Sequence, residues 1–169
     1  MISSDLVRLM AAYNHWQNTS LYDAASSLTD AERKRDCGAF FGSIHATLAH
    51  IVWADQIWLS RFGGCDAPEG GIASSVSRFE DWPDLVSIRQ IVDTQISDWA
   101  TGLTDADLAG DFAWFSGAKQ ADTTRPVWIL VQHMFNHQTH HRGQVHAMLT
   151  RTGARPDDTD LFMMPELSS

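Results

Sequence analysis

Residues 127–151 read VWILVQHMFNHQTHHRGQVHAMLTR, and they hold His133, His137, His140, His141 and His146 within fourteen positions. In a helix, positions four apart differ by only about 40° in direction and lie one above the other. His133, His137 and His141 therefore form one stripe, continued by Gln144 and flanked by Leu130, Met134, Val145 and Met148, which turn it toward an interior. Two imidazoles at i and i+4 can reach a single metal ion, and a third ligand must then come from another helix. A lone HxxxH pair also arises in a His-rich chain from hydrogen-bonded core histidines. A second, independent His on the interior of another helix tips the balance to metal.

The rest of the chain reads outward from this helix. Thr123 or Thr124 with Pro126 opens it and Gly153 closes it. Ahead of it, Phe112, Trp114 and Phe115 precede Ser116-Gly117 and the run Ala121 to Thr124, the pattern of a small β-hairpin. Leu6, Leu9, Met10, Tyr13, Trp16, Leu21 and Ala24 recur at helical spacing after Ser3 and Ser4, giving a long first helix over about residues 4 to 27. Thr29 with Glu32 forms a capping box. A second helix starts near Gly42 and Ser43, carries Ile44, Leu48, Ile51, Asp55, Trp58 and Phe62, and ends at Gly63-Gly64. From Gly63 to about Glu80 no period is sustained, and such a long connection can return along the full height of a bundle, making helices two and three parallel neighbours. Asp81 and Pro83 open helix three, which carries Leu85, Ile88, Val92, Ile96 and Trp99 to Gly102. These elements predict one all-α domain over residues 1–169, a four-helix bundle with a short hairpin inserted.

Composition narrows the function. The 169 residues include 12 Lys+Arg, 21 Asp+Glu and 8 His, a formal net charge of −9 that opposes nucleic acid or an anionic membrane as partner. With 44% apolar residues the chain can fill a core, and its two cysteines, Cys37 and Cys65, suit a reduced cytoplasmic setting. The most apolar stretch, Ala39 to Phe62, is broken by His45, His50, Asp55 and Arg61, so no membrane span is expected, and the N-terminus lacks a signal-peptide pattern. His137-Gln138-Thr139-His140-His141 has Gln where the zincin motif needs its general-base Glu. None of Glu32, Glu69, Glu80 and Glu166 has a His three residues on, which excludes a ferritin-like carboxylate site.

Several runs together resemble the DinB/YfiT-like superfamily, specifically its DinB branch: Tyr13-Asn14 with Trp16 and Asn18, Phe40-Phe41-Gly42-Ser43, Thr47-Leu48-Ala49-His50, Ala54-Asp55 with Trp58-Leu59 and Arg61-Phe62, and Asn136-His137 with Thr139-His140-His141-Arg142-Gly143-Gln144. The resemblance implies an up-down-down-up four-helix bundle, usually a homodimer. It also implies a divalent metal, zinc or nickel, held by His50 from helix two with His137 and His141 from helix four. Related branches include enzymes that use low-molecular-weight thiols. On this basis His45, about 140° round the helix from His50, is a surface or loop-contacting residue. His133 lines the pocket, His140 packs at a helix interface or dimer contact, and His15 and His146 lie at the surface. Asp55, in an apolar stripe, needs a partner, for which Arg142 or the free ring N–H of a ligand His is available, unless it is an exposed or structural ion pair.

Three neutral imidazoles leave the ion its charge and an open position. The function expected is therefore a metalloenzyme acting on a small molecule, activating water or a low-molecular-weight thiol cosubstrate as a hydrolase or thiol S-transferase. The alternative is a dimeric bundle that binds metal for stability or sensing without catalysis, with His133 or Asp55 closing the coordination sphere. A third reading is a vestigial site in a protein that acts through its dimer surface.

Overall fold

The computed structural model describes residues 1–165; the last four positions of the expected 1–169 domain lie outside the described residues. The fold is mostly helical, with a small two-stranded antiparallel sheet before the last helix. Helix α1 (Ser4–Ser26) is capped by the Ser3 hydroxyl, which accepts from the Leu6 amide, and α2 (Asp30–Lys34) carries the reciprocal Thr29–Glu32 capping box. Helix α3 (Ile44–Arg61) starts at Ser43, whose side chain accepts from the Ala46 amide. It ends where Gly63 takes φ +79°, a conformation open to glycine without strain. Gly64 is required for a different reason: a Cβ there would stand 2.5 Å from Leu59 Cδ1 and 3.2 Å from Trp99 Cβ.

The connection that follows is less irregular than its composition suggests. A single turn, α4 (Ile72–Ser75), is folded into it and buries Ser75. Helix α5 (Trp82–Gly102) has Asp81 at its N-cap and proline in its first turn. Strands β1 (Asp111–Ser116) and β2 (Ala121–Pro126) pair with Trp114 opposite Thr123. Helix α6 (Val127–Thr152) then runs to Gly153, at φ +89°. Here one expectation is corrected. Thr123 and Thr124 belong to β2 and do not cap α6, whose first amide, Val127 N–H, instead donates to the Gly110 carbonyl at 3.1 Å. Threonine suits both a strand and an N-cap, and the pairing across the hairpin decided between them.

The four long helices enclose one apolar core, in which Val7, Leu48, Ile51, Val92, Ile96 and Val145 are essentially inaccessible. Helix α1 packs on α5 and α6, while α3 packs on α6 and α5. Contacts fix how the helices pass one another. Asp55 meets Arg89 and Phe62 stacks on Trp99, so position rises together along α3 and α5. Along α3 and α6 it runs oppositely, from His50–His141 through Asp55–Gln138 to Trp58–His133. Among the described residues, no helix is long and apolar enough to cross a membrane.

Candidate metal centre

His50 sits in the second turn of α3, and His137 and His141 sit one turn apart on the facing stretch of α6. The antiparallel passage brings the three together: each offers a ring nitrogen, and these three atoms lie within 4.8 Å of one another. His50 Nε2 is 3.3 Å from His137 Nε2. A tetrahedral ion with bonds of about 2.0–2.1 Å to imidazole nitrogen separates its ligands by about 3.3 Å, so that edge fits a zinc-sized centre.

Hydrogen bonds at the back of the rings fix which nitrogen faces inward. The Ser75 hydroxyl donates to the Ile72 carbonyl at 2.7 Å, so toward His50 Nδ1, at 2.8 Å, it can only accept. His50 therefore carries its proton on Nδ1 and presents a lone pair at Nε2. His141 Nδ1 likewise donates to the Gln144 side-chain carbonyl at 2.7 Å, an orientation consistent with the Gln144 amide donating to His140 Nε2 at 3.3 Å. This arrangement, a ligand imidazole whose other N–H is held by a neighbouring oxygen, is the usual support of a metal-binding histidine.

The electrostatics point the same way. Burial, helped by repulsion from His141, pushes His50 down to about 4. Burial with repulsion from the surrounding histidines pushes His137 down to about 3. His141 is lowered by burial as well, with Gln144 working against it. All three are neutral at pH 7, as metal ligands must be. The Phe41 ring roofs the cluster, 4.0 Å from His50 and 5.3 Å from His141 between centroids. It is held there by a tight turn in which the Gly42 amide donates to the Ala39 carbonyl and the Cys37 amide to the Gly42 carbonyl.

The other histidines separate from this group. His45 is buried and bonds through Nε2 to the Phe79 carbonyl at 2.7 Å, so it contacts a loop as expected without lying at the surface. His133 lines the neighbouring cavity, with its ring edge-on to Trp58 at 5.0 Å. His140 is exposed on α6, against the expectation of a helix interface, and takes the Gln144 amide. His15 is exposed, 3.8 Å from Asp93, and His146 is half-buried beside a groove between α1 and α6.

Asp55 does not pair with Arg142 or with a ligand histidine. Its carboxylate receives Arg89 at 2.7 Å and the Gln138 amide at 2.9 Å. Arg89 also reaches Asp93 at 2.9 Å, Asp93 accepts from Asn14 and Asn18, and Asn14 accepts from Arg142. Burial raises the Asp55 carboxyl, against which Arg89 works most strongly. The chain of contacts crosses all four long helices and locks Gln138, the neighbour of His137, under the cluster. Ser75, Arg89 and Gln138 were not singled out from sequence. Ser75 stands in a Gly/Ser-rich connection with no local signal, whereas Asp55 in an apolar stripe did announce that a partner was needed.

Beside the cluster a cavity of about 540 Å³ opens between α3, α6, the turn of the hairpin and the Gly70-Gly71 segment. His50 and His137 form part of its wall, so the cluster is reached from it.

Fold and site together define a helical protein with three neutral histidines converging beside an open apolar cavity. The chain belongs to the DinB family, whose profile matches residues 1–168. It is similar to "Protein DinB" of Bacillus subtilis (strain 168), 21% identical over 163 residues and covering 95% of each chain. A solved DinB-like protein from Bacillus cereus ATCC 10987 shares the fold at a TM-score of 0.62 and 22% identity, over 85% of this chain and 90% of that one.

Proposed function

We propose that residues 1–169 form one DinB domain, an up-down-down-up four-helix bundle, in which His50, His137 and His141 hold a divalent ion, zinc or nickel, for a metal-dependent reaction on a small molecule. The bundle reading rests on the paired contacts of α3 with α5 and α6. The metal reading rests on one observation: three neutral ring nitrogens converge within 4.8 Å while Ser75 and Gln144 hold two of the opposite ring faces.

When bound, such an ion supplies Lewis acidity that activates water or a low-molecular-weight thiol as nucleophile. The residues around it do the remaining work. Ser75 and Gln144 keep His50 and His141 in the tautomer that faces inward, and the Phe41 ring shields the cluster from water on one side. The cavity admits the substrate on the other.

The non-catalytic alternative needs a closed coordination sphere. Asp55 is committed to Arg89 and Gln138, and His133 packs on Trp58; among the described residues neither joins the three-histidine group. Both facts favour the enzyme. Homodimer assembly follows from the family resemblance, and a reduced cytoplasmic setting from two cysteines that form no disulfide.

The test is a turnover and thermal-shift screen of the metal-loaded protein with low-molecular-weight thiols and electrophilic partners, beside hydrolysis substrates. Activity that vanishes in His50→Ala is the expected result. Activity equal in the wild type and His50→Ala would overturn the reading.

A further inference from the structure

The cavity beside the histidines contains a charged group that the metal reading leaves without a task. Arg61, at the C-terminal end of α3, lines the cavity and lies over the Trp58 ring at 4.4 Å, with Trp114 at 5.6 Å. Stacking on an indole holds a guanidinium by its face and leaves its edge N–H donors pointing outward. Those donors have no recipient: among the described residues Arg61 makes neither a hydrogen bond nor an ion pair. The buried arginines elsewhere each have a partner within the protein. Arg33 donates to the Ala25 and Leu28 carbonyls, Arg89 grips Asp55 and Asp93, and Arg142 donates to Asn14. Arg61 is half-buried, and this burial lowers its pKa, an energetic cost that an anion would relieve.

The rest of the lining sharpens the choice of ligand. Among the described residues no Asp or Glu lines this cavity; the ionisable groups there are Arg61 and three histidines. A cation would find no counter-charge there. Trp53, Ile57, Trp58 and Trp114 supply aromatic and aliphatic faces, and a volume of about 540 Å³ is that of a small-molecule site. Arg61 is eleven residues after His50, a rise of about 16 Å along α3. Helical side chains lean toward the N-terminus, which brings the guanidinium back toward the histidines.

We propose that this cavity binds a small organic anion with a flat apolar body, its carboxylate received by Arg61, its body lying against Trp58 and Trp114, and its other end directed to His137 and His50. Arg61 is thus the specificity-determining residue of the site. Only the direction of the reacting end rests on the metal reading; recognition of the anion does not.

The proposal is tested by isothermal titration of untagged protein with three probes of one shape: 4-phenylbutyrate, its neutral amide 4-phenylbutanamide, and the cation 4-phenylbutylamine. A charge-assisted, two-pronged contact predicts that the carboxylate binds about tenfold or more tighter than the amide, and that the amine binds more weakly still. In Arg61→Gln the carboxylate and amide become equivalent, while metal content and helical content stay as in the wild type. In His137→Ala the carboxylate preference persists. Equal affinities in the wild type, no binding of either probe, or a preference that survives in Arg61→Gln would overturn the proposal. A preference lost in His137→Ala but kept in Arg61→Gln would also overturn it, by moving anion recognition to the ion and leaving the metal reading standing.

Discussion

Ser75 and Gln144 are not among the proposed metal ligands, yet each holds the far nitrogen of a ligand histidine and so sets which nitrogen is offered inward. Losing such a support costs about 10–100-fold in metal affinity. Ser75→Ala and Gln144→Ala are each expected to weaken zinc binding to that extent in a chelator competition, with the fold retained; unchanged affinity in both would contradict the assignment. Proton linkage gives a second test at this scale. Burial first, then neighbouring histidines, depresses His50 to about 4 and His137 to about 3, from the ordinary histidine value of 6.5. Below pH 6.5 the unfolded chain takes up protons that the folded chain refuses, so these residues lower stability as pH falls from 6.5 toward 4 and contribute no pH dependence above 7. Metal-free His137→Gln should therefore lose less thermal stability than metal-free wild type between pH 7 and pH 4.5. A parallel loss would show that His137 is not depressed.

At the scale of elements, what was legible in the sequence is what depends on neighbours along the chain. Ser3, the Thr29–Glu32 box, Gly63-Gly64 and Gly153 each mark a helix end through a local hydrogen bond or a positive φ, and each marks it in the structure. The stripe of His133, His137 and His141 was legible for the same reason. What was not legible depends on packing between elements. The α4 turn forms in a connection with no apolar period, and Ser75 acquires its role only because that turn docks on α3. Arg89 is unremarkable in sequence, and its pairing with Asp55 follows from the register of α3 on α5. Removing one partner of such a buried pair leaves an uncompensated charge, so Arg89→Met is expected to destabilise the fold by about 3–5 kcal/mol in denaturant melts. A change below about 1 kcal/mol would mean that the network carries little of the packing. Gly64→Ala forces a methyl against buried Leu59 and half-buried Trp99, with an expected loss of about 1–3 kcal/mol. An unchanged melting curve would contradict the close approach seen there.

For the whole molecule, the charge of −9 and the site fit together in a way that composition alone did not suggest. The chain is acidic as a whole, yet among the described residues no carboxylate lines the cavity wall, where Arg61 and neutral histidines face an apolar space. The buried chain from Arg142 through Asn14, Asp93 and Arg89 to Asp55 and Gln138 holds the four long helices in register without using the three histidines. The scaffold is accordingly expected to survive chelation, with far-UV circular dichroism unchanged and only the melting temperature lowered by the lost binding energy. Unfolding on chelation at 25 °C would instead favour a metal that serves stability. The most direct test of the account is elemental analysis of untagged protein, wild type beside His137→Ala, after equilibration with zinc or nickel and removal of excess. The account predicts one ion per chain in the wild type and a near-complete loss in the variant; equal metal content in the two would contradict the three-histidine centre.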